Sequence, residues 1–187
     1  MANQSTLSDI MSVTELLLVE RGFKGFSFQD VAERLNISKT AIYHYFRTKE
    51  DLVDNLISNY ADEFTEKIRV IYDTTNVFKK RIEKYLELFE IQIQSNKVCL
   101  CCFLGMELNL IAESSQKKIE LFFARNLSWL QKVYIEEFPL ESTSKADLFA
   151  VSLFSMLQGA FVISRVTKKQ LNLAGMLNAC AVNLHAK

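Results

Sequence analysis

The chain of 187 residues predicts an all-α protein, and three features of it carry that expectation. Five Gly and one Pro are too few for a turn-rich all-β fold or for glycine-rich phosphate loops. Apolar residues recur at threes and fours along nearly the whole length, which is the period of a helix buried on one face. Three Ser/Thr-x-x-Asp/Asp-type capping boxes, beginning at Ser27, Thr48 and Ser144, mark helix starts. With 49% hydrophobic and 24% charged residues the composition is that of a globular protein, not of a disordered chain or coiled coil.

The first helix carries Leu7, Ile10, Val13, Leu16, Leu17 and Val19, and Gly22 suits a left-handed cap at its end. Gly25 falls in the following turn. Ser27 and Asp30 then box the start of a second helix running to about Leu35, which points Val31, Ala32 and Leu35 one way. Asn36 ends it at a position that calls for positive φ, which Asn tolerates best after Gly. Ile37 anchors the turn, and Ser38 caps a third short helix through about Phe46.

Thr48 and Asp51 open a long fourth helix with the stripe Leu52, Leu56, Tyr60, Phe64, Ile68 and Ile71. Five more helices are expected after it, about nine in all. Thr75 to Gln94 carries Ile82, Leu86, Phe89 and Ile93, and a break follows at Ser95-Asn96-Lys97. An apolar helix is expected from about Cys101 to Ala112, with Glu107 as its lone charge, facing solvent or a lysine. Ser114-Ser115 reads as the next break. Lys117 to Glu137 follows with Phe122, Phe123, Leu127, Leu130 and Tyr134, until Pro139 stops it. The box at Ser144 to Asp147 starts the next helix, and a last one runs from about Leu171 to Leu184.

Between Asp147 and Arg165 the stretch Leu148 to Ser164 is uncharged and stands at the lower length limit for spanning a membrane, about 17 residues. It carries Ser152, Ser155 and Gln158, so a helix buried in a core or between subunits explains it better, and no membrane partner is expected. Met1 to Ile10 lacks the basic start and apolar run of a secretory leader, which with four cysteines points to a reduced, cytoplasmic setting.

Twenty-two basic residues balance twenty-two acidic ones, so any partner that prefers one sign of charge reads a local patch. Such a patch lies between Arg21 and Lys49, where six basic residues (Arg21, Lys24, Arg34, Lys39, Arg47, Lys49) face two acidic ones, Asp30 and Glu33. It coincides with two short helices joined by a tight turn, the arrangement in which a second helix enters the DNA major groove. Lys39, Thr40 and Ala41 occupy the first turn of that helix. An ammonium there suits guanine O6 or N7, and the two methyl groups suit thymine. Tyr43, His44 and Tyr45 follow where phosphates pass, and Lys49 opens the next helix, whose end also favours a phosphate.

The stretch Phe26 to Leu52 resembles the DNA-binding domain of the TetR family of bacterial transcription regulators. Its most specific part is Ser38-Lys39, the small or apolar Thr40-Ala41-Ile42, the aromatic Tyr43-His44-Tyr45-Phe46, and Lys49-Glu50. Two later landmarks are similar to the family's sixth and eighth helices, Cys102-Phe103-Leu104-Gly105 and Leu157-Gln158-Gly159-Ala160. The resemblance implies a TetR-like fold with a helix-turn-helix domain over residues 1–50 and an effector-binding and dimerisation domain over 51–187. It implies base contacts by Lys39, Thr40 and Ala41 and phosphate contacts by Ser27, Tyr43, Tyr45 and Lys49, with His44 beside them. Phe26 stands where a Thr is common and Asn36 where a Gly is usual, and no basic arm precedes the first helix.

The same resemblance implies a homodimer paired through the last two helices, a near-palindromic DNA operator, and repression relieved by a small molecule. Fourteen Phe suit an apolar or aromatic effector. Candidates for its wall are Phe89, Phe103, Met106, Phe122 and Phe161, with Asn109 and Gln158 as polar handles.

Cys99, Cys101 and Cys102 form the most unusual cluster. The Cys99/Cys102 spacing fits inert buried thiols, a thiol sensor, or half a zinc site. A zinc site needs further ligands, and only Cys180 and His185 remain nearby in type, so no metal and no cofactor is expected. Neither of the two His lies near these thiols in sequence, no nucleotide loop occurs, and no enzyme is expected. The alternatives are a thiol-sensing regulator and a helical adaptor without DNA binding.

Overall fold

The computed structural model describes residues 2–95 and 97–181, and among these the secondary structure is helical, without strands. In chain order the helices are α1 (Ala2–Arg21), α2 (Phe28–Leu35), α3 (Lys39–Tyr43), α4 (Lys49–Thr74), α5 (Phe78–Gln94), α6 (Leu100–Gly105), α7 (Glu113–Glu137), α8 (Thr143–Thr167) and α9 (Leu173–Ala181). Short 3-10 turns occupy Phe23–Gly25 and Leu108–Leu110. The expected end of the last helix at Leu184 lies outside the described residues.

Two compact units form, one from residues 1–63 with 100–122 and the other from 64–99 with 123–187. In the first unit, side chains tie the turn after α6 and the start of α7 to the N-terminal helices. Phe23 N–H donates to Glu107 Oε2 at 2.8 Å. Asp54 on α4 accepts from Ser115 Oγ at 2.9 Å and from Ser114 Oγ at 3.2 Å, and pairs with Lys118. Burial pushes the Asp54 carboxyl up, but these hydrogen bonds and the Lys118 charge outweigh it and hold the carboxyl below its usual range.

In the first unit, Ile10, Leu17 and Leu18 of α1 and Val31 of α2 are fully buried, as the helical period requires. The Ser27–Asp30 capping box is present at the start of α2. Gly22 has φ 74° and ψ 173°, so its positive φ is that of an extended mirror conformation and not of a left-handed helical cap. Asn36 does adopt the left-handed helical region, φ 52° and ψ 44°, and Ile37 N–H bonds back to Ala32 O at 3.0 Å. Asn36→Ala is therefore expected to lower stability by about 1 kcal/mol, with Asn36→Gly within about half of that of the natural protein. Urea unfolding of the two variants checks this.

The apolar helix expected from Cys101 to Ala112 is shorter. It ends at Gly105 and tightens into i→i−3 turns, with Met106 N–H on Phe103 O at 3.2 Å and Glu107 N–H on Leu104 O at 2.9 Å. Carbonyls left without helical partners are met by Gln116, whose Nε2 donates to Leu108 O at 2.9 Å and Ile111 O at 3.1 Å. Ser114 and Ser115 are not a break, since they sit in the first turn of α7, where their hydroxyls serve Asp54.

The second unit is built around aromatic rings. Tyr85 is fully buried, stacks on Trp129 at 5.1 Å between centroids, and donates its hydroxyl to Asn126 Oδ1 at 2.9 Å. Phe89 meets Phe64, Phe154 and Phe161 at 5.7, 6.3 and 5.7 Å. Arg81 is buried. Its guanidinium reaches Thr75 O at 2.6 Å, Tyr72 O at 3.2 Å and Glu136 Oε2 at 2.6 Å, so the α4–α5 turn is stapled to α7. At the start of α8 the cap is Ser142, whose Oγ accepts from Lys145 N–H at 3.3 Å, and not the expected Ser144. The helix begins earlier because Phe138, Pro139 and Leu140 already complete the turn, with Glu141 N–H on Phe138 O at 3.0 Å.

Helix α8 is long and apolar enough to cross a membrane, but one such helix is also what a protein core contains. It buries Ala150, Leu153, Phe154, Leu157, Ala160 and Phe161 on one side. Leu148, Val151, Val162, Ile163 and Val166 remain exposed on another.

Candidate nucleic-acid interface

The two short helices of the first unit meet edge to face, with the rings of Phe28 on α2 and Tyr43 on α3 at 5.1 Å. Ile42 is fully buried and Phe46 nearly so, which seats α3 and leaves its outer face to solvent. Ser38 Oγ accepts from Ala41 N–H at 3.1 Å, fixing the first turn. Lys39 and Thr40 stand exposed there, and Ala41 is half-buried. Lys39 Nζ lies 5.8 Å from the Tyr43 ring centroid, on the exposed side of α3. Tyr43 and His44 are exposed and Tyr45 is half-buried. Helix α3 itself is shorter than expected, with Tyr45 N–H and Phe46 N–H both turning back to Ile42 O.

Residues 10–56 match the family described as bacterial regulatory proteins, tetR family. The N-terminal stretch is thus similar to the DNA-binding part of TetR-family regulators. Among curated relatives, the HTH-type transcriptional repressor KstR2 of Mycobacterium tuberculosis is 28% identical over 71 residues, 38% of this chain. The match spans 36% of that relative's length. Among solved structures, a TetR transcriptional regulator from Legionella pneumophila is 25% identical with a TM-score of 0.77, over 86% of this chain and 87% of that one. A TetR-family regulator from Agrobacterium tumefaciens has a TM-score of 0.79 at 24% identity, over 87% and 88% of the two chains.

Within the matched stretch and its flanks the basic residues divide into two sets. Arg21 pairs with Asp30 at 2.7 Å, and Arg34 with Glu20 at 2.6 Å. Glu20 lies one residue outside the stretch whose charges were counted in the sequence, so the local excess is smaller than that count. Lys24, Lys39 and Arg47 are exposed.

Two expected phosphate contacts are otherwise engaged. Ser27 donates both its N–H and its Oγ–H to Asp30 Oδ2, at 2.8 and 2.6 Å. These bonds, with the Arg21 charge, hold the Asp30 carboxyl below its usual range. Lys49 directs its ammonium inward, to Phe23 O at 2.8 Å and Phe26 O at 3.0 Å, and over both rings. Phe26, the departure from the family's Thr, is buried beneath that ammonium and belongs to the core.

The effector candidates fall in different units. In the first, Phe122 is buried with its ring 5.7 Å from Tyr60, Phe103 is half-buried, and Met106 and Asn109 are exposed, Met106 by 74%. In the second, Phe89 and Phe161 are buried together, and the Gln158 amide is buried with neither its oxygen nor its nitrogen hydrogen-bonded. Trp129 Nε1 is likewise buried without an acceptor. A buried donor or acceptor left unmade costs about 1–3 kcal/mol, so these two side chains favour anything that would pair with them.

Cys99 and Cys101 are buried, Cys102 is half-buried, and no disulfide joins the three. Burial pushes the Cys102 thiol up, disfavouring its thiolate. Burial, and then the neighbouring Cys99, also push the Tyr85 phenol well up, so it stays a hydrogen donor. Among the described residues no three His, Cys, Asp or Glu are grouped to hold a metal ion, and His185 lies outside them.

Proposed function

We propose that the protein is a homodimeric transcription repressor that binds a near-palindromic DNA operator and is released by an apolar or aromatic small molecule. The observation that carries the reading is the Ser38-capped α3. It rests on Phe28 and Ile42 and presents Lys39, Thr40 and Tyr43 outward, within the stretch that matches the family. Lys39, Thr40 and Ala41 meet base edges, and Tyr43, His44 and Tyr45 meet the flanking phosphates. Exposed Lys24 and Arg47 add attraction that carries no sequence information. Ser27 and Lys49 act indirectly, by fixing the turns on either side of the reading helices.

Dimerisation falls to the exposed stripe of α8, where Leu148, Val151, Val162 and Val166 flank Ser152, Ser155 and Gly159. A Cβ at Gly159 would meet nothing within 4 Å, so a second helix can approach closely there. Such an apolar face is a liability on a monomer. The effector belongs with Phe89, Phe161 and Gln158 of the second unit, with the unpaired Trp129 Nε1 as a further donor. A small molecule releases DNA only if it binds the DNA-incompetent conformation more tightly.

The test is duplex binding followed as a function of salt. Affinity falls linearly on a logarithmic salt scale, and Lys39→Ala weakens binding to a selected operator by about 5- to 150-fold, the range for one lost base contact. Equal binding of Lys39→Ala and the natural protein would contradict the reading helix. Repression itself is checked by a reporter downstream of that operator, which the protein silences.

A further inference from the structure

The backbone of Phe23, in the turn between α1 and α2, is held at both its N–H and its carbonyl. Its N–H donates to Glu107 Oε2 at 2.8 Å and its carbonyl accepts from Lys49 Nζ at 2.8 Å. The same ammonium takes Phe26 O at 3.0 Å and lies 4.5 Å over the Phe23 ring. Glu107 comes from 84 residues further along the chain, in the turn between α6 and the 3-10 segment Leu108–Leu110.

Its neighbours Met106, Leu108 and Leu110 are exposed, while Glu107 is half-buried against the turn. The backbone opposite is shaped to receive it. Gly22 has φ 74°, and a Cβ there would lie 2.6 Å from Glu107 Oε1 and 3.4 Å from its carboxyl carbon. Such a Cβ would push the carboxylate from the place it holds beside the Phe23 N–H. Gly22 is thus required twice, by its own φ and by the carboxylate that fills the place of a side chain. A carboxylate on a backbone N–H is also a stronger, charge-assisted bond than a neutral pair.

We propose that Glu107 is a positioning residue for operator recognition. By holding the Phe23 N–H it fixes how α2 and α3 leave α1. The proposal rests on the operator-binding reading above. Loss of the Glu107 carboxylate releases the Phe23 N–H, loosens the turn that precedes the Ser27 cap, and so lowers operator affinity without touching a DNA-contacting side chain.

The experiment compares Glu107→Ala, Glu107→Gln and Gly22→Ala in the full chain, with the operator that the natural protein selects. Three readouts are taken: amide exchange at Phe23 against that at Val31, urea unfolding, and operator affinity across salt. Glu107→Ala should raise Phe23 exchange at least about tenfold. It should lower operator affinity about fivefold or more at equal folded fraction, with the salt slope unchanged because no phosphate contact is lost. Glu107→Gln, which keeps an acceptor oxygen, should recover most of both. Gly22→Ala should mimic Glu107→Ala, and the pair combined should lose less than the sum of the two.

Operator affinity equal to that of the natural protein in Glu107→Ala, with Phe23 exchange raised, would make the contact merely structural and overturn the proposal. Slow Phe23 exchange in that variant would overturn it as well. If the natural protein selects no duplex, the operator reading itself fails and the proposal falls with it, a result distinct from the other two.

Discussion

Val162→Glu is expected to convert the proposed dimer into a 21.5 kDa monomer at micromolar concentration. Val162 is 56% exposed on α8, in the stripe with Leu148, Val151, Gly159 and Val166, so the substitution costs the isolated protomer little. Across a two-fold axis it acts twice, setting two carboxylates against each other and against an apolar face. Each head alone then grips one half-site. Losing the linkage between half-sites lowers operator affinity by about 100-fold or more. Sedimentation and operator titration read the two effects separately. A variant that stays dimeric would place the interface elsewhere.

The second large effect lies in the aromatic core of the second unit. Phe89 is 1% exposed and touches the rings of Phe64, Tyr85, Phe154 and Phe161, so Phe89→Ala removes the centre of the cluster. The expected loss is about 3–5 kcal/mol in urea unfolding, against a total of about 5–15 kcal/mol for a domain. The cavity left is apolar, and small aromatic compounds should recover part of the loss by filling it. A loss below about 1 kcal/mol would mean that the cluster collapses around the gap and that Phe89 is not central to it.

Much of the fold was legible because its signals are local. The Ser27 and Thr48 caps, the left-handed Asn36 and the stop before Pro139 each follow from one residue's own chemistry, and each stands where the sequence predicts. The reading helix was legible for the same reason, from Ser38 and the residues after it.

What escaped depends on partners distant in sequence. The apolar run from Cys101 to Ala112 has helical composition, yet it breaks at Gly105, and Glu107 finds its partner at Phe23. Arg81, with three acceptors on α4, α7 and the α4–α5 turn, gives no sequence sign of its role. Lys49 has the charge and place of a phosphate ligand, and only its packing against Phe23 and Phe26 reveals that the ammonium is used inside. A lone charge in an apolar stretch was the one hint of Glu107, and it did not name the acceptor's partner.

The most direct test of the central claim is selection of bound duplexes from a mixed-sequence library at moderate salt. The account predicts enrichment of a near-palindrome whose half-sites lie about one helical turn, or a multiple of it, apart, as a dimer reading successive major grooves requires. The same selection with Tyr43→Ala should lose that enrichment. No enriched sequence, with binding absent even at low salt, would contradict DNA recognition by this protein and leave a helical adaptor as the better reading.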